Sequence, residues 1–275
     1  MEWLPSGAAV ITLLLFVLVP AAAAVGAHAL FRRIVPSKRL IPHQEVAGFL
    51  VAVVGVLYAV VLGFIVVTTW SAYDNAQVNT DLEAGDVGDA FGFARMLPEP
   101  RRSDMRKMLA EYAVEVRDHE WNTLRHGLED PKARDLLFNA EQALGEPGFK
   151  ESANIDEALN RATTRDAVAT SLRDIADQRR LRLISASNGL HPALALALLL
   201  GALMVIAFVF LFGVESQPLQ LAMTGLVAGC IGLLIGVVVV FSAPYSGPMR
   251  VSPDSWTYVI NNNNFAAIVA GKIPP

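Results

Sequence analysis

The chain has 275 residues and a formal net charge of −4; 53% of its residues are hydrophobic and 17% are charged. Its mean hydropathy is +0.43, too apolar for an ordinary soluble protein of this length, so the composition points to a membrane as solvent. The acidic balance, with no basic patch interleaved with aromatics, argues against nucleic acid as a partner.

Charge is unevenly spread. Residues 73–189 hold 16 of the 22 Lys and Arg and 22 of the 26 Asp and Glu, a local net charge of −6, between two greasy ends. The single cysteine, Cys230, lies in an apolar run and cannot form an internal disulfide.

The first apolar run covers about residues 8–30. Ala27-His28-Ala29 resembles a signal-peptide cleavage site, but the leader Met-Glu-Trp-Leu-Pro-Ser carries no Lys or Arg. The run is long enough to cross a hydrocarbon core, so a retained span is expected, bent at Pro20.

The second run, about residues 46–70, contains no charge. Gly48, Ala52, Gly55, Ala59 and Gly63 recur within it at offsets 0, 4, 7, 11 and 15. Steps of about 100° place them on one face of a helix. Two readings stand: tight packing of helix on helix, or an axial path shaped by Phe49, Tyr58 and Phe64. Both need another helix nearby, and a second copy of the chain would supply one. Trp70 and Tyr73 suit the headgroup level. No proline follows until Pro98, which leaves room for one helix from about residue 44 to 97, although Gly85, Gly88 and Gly92 weaken it by up to ~1 kcal/mol each.

An acidic cluster comes next: Asp74, Asp81, Glu83, Asp86 and Asp89, with no Lys or Arg between Trp70 and Arg95. It reads as a solvated helix face, or as a charged vestibule or weak divalent-ion site beside a pore, where Asp81, Glu83, Asp86 and Asp89 would concentrate cations.

The rest of the polar insert, to about residue 188, reads as helical. Met105, Met108, Leu109, Tyr112, Val116 and Leu124 form one apolar stripe. Asp130 as N-cap and Pro131 at the first helical position open a segment that continues through Leu136, Leu137, Ala140 and Leu144 and ends at Gly145. A third begins near Asn154 and runs through Ile155, Leu159, Ala162, Val168, Leu172 and Ile175. His119, Glu120 and His126 are loose metal ligands at most and read as polar surface, since no His-Glu-x-x-His or Cys-x-x-Cys accompanies them. Arg179, Arg180 and Arg182 precede the third apolar run; they read as a basic anchor to anionic headgroups or as an anion or lipid site.

The third and fourth runs cover about residues 192–212 and 219–241. The linker between them, residues 211–218, is so short that an antiparallel hairpin follows. The expected parts are a first membrane pair (1–70), a polar helical insert (71–189), a second membrane pair (190–243) and a tail (244–275). The fold class expected is all-α, a multi-pass membrane protein with four transmembrane helices and a helical insert between the second and third.

Within the spans only His28 and His191 are ionisable, both near helix ends. Coupled transporters place carboxylates or paired charges at mid-membrane, so a coupled pump is disfavoured and a passive pore stays open. No P-loop, Gly-x-Gly-x-x-Gly, Gly-x-Ser-x-Gly or kinase-like set occurs, so no enzyme, catalytic residue, cofactor or metal centre is expected. The positive-inside count does not fix the side of the insert: Arg173, Arg179, Arg180, Arg182 and Arg250 stand against Arg32, Arg33, Lys38 and Arg39.

The stretches VAGFLVAVVGVLYAVVLGFIVV (46–67), EYAVEVRDHEW (111–121), QRRLRL (178–183), FLFG (210–213) and VSPDSW (251–256) resemble a bestrophin-like family of largely uncharacterised bacterial four-span membrane proteins. The resemblance covers about residues 43–256. It implies a bacterial cytoplasmic (inner) membrane location, multi-pass topology, and a homo-oligomer in contact with the lipid bilayer and inorganic ions. Bestrophins proper are pentameric anion channels whose second span lines the pore and whose insert is cytoplasmic. Their acidic calcium clasp after span four is not matched here, where Asp254 is the only acid after Phe241. The functions expected are therefore a passive ion channel, or a non-conducting scaffold or sensor whose insert binds a partner.

Overall fold

A computed structural model describes residues 7–36, 40–41, 44–145, 155–213 and 216–275. Lys38 and Arg39 of the topology count lie outside the described residues, as do Asn154 at the expected start of the last insert helix and residues 214–215 of the hairpin linker. Every regular element among the described residues is helical. The chain divides into two compact units, Met1–Tyr73 with Gly189–Arg250, and Asp74–Asn188 with Val251–Pro275. The tail expected from residue 244 is thus shared between them, and from Val251 on it belongs with the insert.

The first unit contains α1 (Gly7–Ile34), the first part of α2 (Gln44–Ala94), α7 (Pro192–Phe210) and α8 (Gln217–Phe241). All four are long and apolar enough to cross a membrane. In lipid such segments must satisfy every backbone group internally, which is why they are helices. Arg32 and Arg33 close the last turn of α1, where cations suit the helix dipole. His191 caps α7 by accepting from the Ala193 N–H at 3.3 Å.

A row of glycines on α8 lets it lie directly on α1. A Cβ at Gly225 would stand 3.2 Å from Val25, and one at Gly229 3.3 Å from Val17. At Gly232 it would fall 2.1 Å from the Phe16 carbonyl oxygen and 2.9 Å from Pro20, and at Gly236 2.7 Å from the Phe16 side chain. Pro20 has no N–H to give that carbonyl four residues back, so glycine faces the backbone where α1 is least regular. Beside this pair, Leu62 and Ile65 of α2, Leu198 of α7 and Val238 of α8 form a buried apolar cluster.

α2 is a single helix of 51 residues. Gly85, Gly88 and Gly92 do not end it, because propensity is a weak prior against burial: Ala76, Ala84, Val87, Ala90, Phe91 and Ala94 are all buried. Around this second part of α2 the other unit gathers α3 (Arg101–Glu115), a π turn (Val116–Glu120), the one-turn α4 (Trp121–Thr123), a 3-10 turn (Leu124–His126), α5 (Pro131–Gly145), α6 (Ile155–Ser187), α9 (Asp254–Asn262) and α10 (Phe265–Val269). The apolar stripe read on α3 is buried at Met105, Leu109 and Tyr112. Asp130 caps α5 by accepting from the Lys132 N–H at 2.8 Å. Gly127 ends the 3-10 turn at a φ of 68°, a backbone region that favours glycine.

Candidate functional site

Among the described residues the small-residue stripe of α2 is little used for packing. Ala52, Ala59 and Gly63 are exposed and Gly48 and Gly55 half-buried. Among the described residues, and apart from the helix's own neighbouring backbone, nothing comes within 4 Å of a Cβ at Gly55 or Gly63, and a Cβ at Gly48 meets the Phe212 ring at 3.6 Å. The face of α2 that packs on α7 and α8 is instead the one bearing Ala47, Tyr58, Leu62, Ile65 and Thr69, of which all but Tyr58 are buried. At about 100° per residue that face lies about 100° around the helix from the stripe.

The three aromatics expected to shape one constriction part company. The Tyr58 hydroxyl donates to the Leu198 carbonyl at 3.1 Å, and its ring fills the space that a Cβ at Gly201 would occupy. Tyr58 therefore locks α2 to α7. Phe49 and Phe64 remain 70% and 72% exposed. Phe49 lies about 80° from the centre of the stripe, on the side away from Tyr58, and Phe64 about 140°. Of the three, only Phe49 borders the stripe while staying open.

In the second unit the charged residues sort differently from their sequence grouping. Glu83 is fully buried, so it is not part of a solvated acidic face. Its Oε2 accepts from Arg182 Nε at 2.6 Å, and its Oε1 accepts from Arg182 Nη2 at 3.0 Å and from the Tyr112 hydroxyl at 2.5 Å. Arg182 Nη2 also donates to Glu120 Oε2 at 2.7 Å. Glu120 Oε1 accepts from Arg179 Nη2 and from the Asp130 N–H at 3.2 Å. Arg182 stands 5.7 Å over the Trp121 ring. Arg179 and Arg182 are therefore not headgroup anchors, and Glu120 is not polar surface: all three are buried. A desolvated charge persists only when paired and hydrogen-bonded, and here four charges and a phenol pair with one another, while Arg179 Nε and Arg182 Nη1 stay buried without a hydrogen-bond partner among the described residues. Burial works against the Arg182 charge, but Glu83 and Glu120 hold its pKa well above the usual arginine value. Burial, reinforced by Glu83, pushes the Tyr112 phenol well above its ordinary range. Arg180, the remaining basic residue, is exposed and pairs with Asp177 at 3.2 Å.

Of the other acids in the cluster, Asp81 and Asp89 are exposed. Asp81 accepts from the Ser255 hydroxyl. Asp86, beyond the charge-free stretch of α2, is half-buried. Its pKa is pushed up to about 6 from 3.8, by burial first and then by Asp174, Asp89 and Glu83. The folded state then binds the proton more tightly than the unfolded chain, so this group adds stability as pH falls from about 6 towards 4 and opposes folding above that window. Asp86→Asn is expected to raise stability at pH 7.5 by about 1 kcal/mol after solvent screening, and to change nothing at pH 4. Thermal unfolding at the two pH values measures the difference.

Sequence reasoning missed one polar network. His28 is fully buried in α1. Its Nε2 accepts from Arg32 Nε at 3.2 Å, since a guanidinium can only donate. Nδ1 therefore carries the proton and donates to Thr224 Oγ1 at 2.7 Å, whose own hydroxyl donates to the Gln220 carbonyl at 3.0 Å. Arg32 and Gln220 both donate to the Phe212 carbonyl. The available signal was Gln220 and Thr224 at a spacing of four in an otherwise apolar run. This set ties α1 to α8 and to the chain that follows α7.

His119 and His126 are exposed and Glu120 is engaged in the ion pairs. Among the described residues no group of three or more His, Cys, Asp or Glu could hold a metal ion.

Comparison with known proteins gives a consistent picture. No curated protein matches the chain. Among solved structures, a bacterial bestrophin homologue from Klebsiella pneumoniae is similar at a TM-score of 0.65 and 14% identity, over 94% of this chain and 98% of that one. A substituted form of the same homologue is similar at a TM-score of 0.64 and 12% identity, over 95% and 98%. At that identity the likeness concerns the fold. A family profile described as Bestrophin-like domain matches residues 18–256. With most of its length inside that match and the four-helix membrane arrangement in place, this chain belongs to the bestrophin-like family of membrane proteins.

Proposed function

We propose that the protein is a passive, anion-conducting channel of the bacterial inner membrane, built from several copies of the chain with α2 lining the pore. One observation supports this above others: the small-residue stripe is left open by the chain's own packing. A partly exposed row of glycine and alanine on the charge-free stretch of a membrane helix suits close approach of identical helices around an axis. In this reading Gly48, Ala52, Gly55, Ala59 and Gly63 line the axis, and Phe49 narrows it. Conduction then depends on pore width and a hydrophobic constriction, with no coupling ion.

Current through planar bilayers tests the proposal. Gly55→Leu and Gly63→Leu each put a four-carbon side chain where, among the described residues, no neighbouring segment lies within 4 Å of a Cβ. Each is expected to cut single-channel conductance at least severalfold while the thermal stability and subunit count of the purified protein stay unchanged. Reversal potentials in asymmetric chloride should follow the anion. If the wild type passes no current, or if both substitutions change only assembly, the channel reading fails and a scaffold or sensor role takes its place.

A further inference from the structure

The 3-10 turn of the insert ends in a Schellman motif: the Gly127 N–H donates to the Leu124 carbonyl at 3.0 Å, and the Leu128 N–H to the Thr123 carbonyl at 3.3 Å. A Cβ at Gly127 would stand 3.5 Å from Ser187 Cα and 3.6 Å from the Ala186 carbonyl oxygen, so this turn lies against the last residues of α6. Chain length alone then bounds its distance from lipid. α7 starts at Pro192 and has 19 residues, about 28 Å of helix, against a hydrocarbon core of about 30 Å. It has no length to spare, so its first turn stands at the edge of that core. From Ser187 to His191 the chain reaches at most about 14 Å. It reaches less here, because the Asn188 N–H still donates to the Ile184 carbonyl at 3.0 Å. The headgroup layer takes up about 5–8 Å of that distance, and long side chains cover the remainder.

Two side chains on the turn lack the partners that their positions ordinarily supply. In a Schellman motif an apolar residue at the place of Leu128 packs back on its own helix. Here the helix offers Thr123 at that contact, and Leu128 is 61% exposed. Arg125 is exposed and has no hydrogen bond or ion pair among the described residues. The acids nearest to it in sequence are engaged elsewhere: Asp118 with Arg117 at 2.6 Å, Glu129 with Arg134 at 2.9 Å, and Glu120 with Arg179. Ile184, in the last turn of α6, adds apolar surface at 47% exposed. An apolar side chain held out on a hydrogen-bonded turn, next to an unpaired guanidinium and within reach of the headgroups, suits a lipid surface on both counts.

We propose that the turn from Arg125 to Leu128 docks on anionic lipid, with Leu128 entering the interface and the Arg125 guanidinium binding a headgroup phosphate. A phosphate suits the planar guanidinium fork. The headgroup anchor expected at Arg179 and Arg182 is thereby supplied by a turn from another part of the chain, whether or not the protein conducts.

Fluorescence quenching in nanodiscs tests this on the full chain. Cys230→Ser removes the native thiol, and Leu128→Cys then carries a bimane label. Phospholipid with a doxyl quencher high on its acyl chain is expected to quench that label. The same label on Met96→Cys, just past the end of α2 and about 36 Å of helix from Trp70, should stay bright. Doxyl phosphatidylglycerol should quench the Leu128→Cys label about fivefold more effectively than doxyl phosphatidylcholine, the enrichment that one arginine supplies at an anionic surface. Arg125→Gln should remove that preference, whereas Arg134→Gln on α5 should keep it. Leu128 is exposed, so its replacement leaves the core intact; if the labelled protein nevertheless fails to fold, His126→Cys on the same turn gives the same readout. A label on the turn that lipid quenches no more than the Met96→Cys control would overturn the proposal, and a blue-shifted but unquenched label would assign the turn to a protein partner instead. Equal quenching by the two lipids, or a preference that survives Arg125→Gln, would overturn it as well.

Discussion

Arg182→Met is expected to destabilise the helical insert by about 3–5 kcal/mol, because it strands the buried Glu83 carboxylate and leaves Glu120 with Arg179 as its only cation. Arg182 is 0% exposed and gives Glu83 two hydrogen bonds and Glu120 one. Methionine fills much of the volume but supplies no donor. Folding must then leave Glu83 charged with only the Tyr112 hydroxyl to compensate it, or protonate it. Three companion substitutions separate lost charge from lost packing. Glu83→Gln added to Arg182→Met should restore part of the loss, since one stranded charge is gone. Tyr112→Phe alone should cost about 1 kcal/mol, the scale of one hydrogen bond. Arg180→Ala, two residues away and exposed, should cost under about 0.5 kcal/mol. Chemical denaturation followed through the fluorescence of Trp121 and Trp256, both in this unit, reads all four. If Arg182→Met and Arg180→Ala unfold alike, the buried cluster does not hold the insert together.

Gly232→Ala is the second large effect, and it belongs to the membrane helices. One added methyl carbon would stand 2.1 Å from the Phe16 carbonyl oxygen, well inside van der Waals contact with backbone that cannot swing away. α1 and α8 must separate, at a cost of about 3 kcal/mol. In lipid no hydrophobic force draws helices together, so their packing depends on this fit. Gly26→Ala on α1 is the matched control. Among the described residues no neighbouring segment lies within 4 Å of a Cβ there, and alanine should be neutral or stabilising by up to ~1 kcal/mol. Unfolding by SDS titration in mixed micelles, followed by helical circular dichroism, compares the two. Equal curves would mean that α1 and α8 do not rely on the close approach.

The two glycine rows of this protein show where reading a sequence stops. Gly48, Ala52, Gly55, Ala59 and Gly63 on α2, and Gly225, Gly229, Gly232 and Gly236 on α8, have the same spacing logic. Periodicity says that each row shares a helix face. It does not say what covers that face. Packing assigns the α8 row to α1 and leaves the α2 row open. The charged residues teach the same lesson. Glu83 stands among four other acids, and Arg182 two residues from the exposed Arg180, with nothing local to mark them as buried. Their pairing spans 99 residues of chain, and Glu120 meets them from a π turn, whose wider hydrogen-bond register propensities do not announce. His28 was legible as a histidine near a helix end, but its partners on α8 lie 196 residues away.

What the sequence determined alone follows from solvent and from local geometry. Long charge-free runs have to be membrane helices, because lipid offers the backbone no other partner, and the polar stretch between them has to be a helical insert from its 3.6-residue periodicity. What the tertiary structure decided is partnership. It settled which small face is used within the chain, which aromatic locks a helix pair and which charges cancel out of water. Those outcomes rest on contacts between residues far apart in the chain, and no window of sequence contains both members of such a pair.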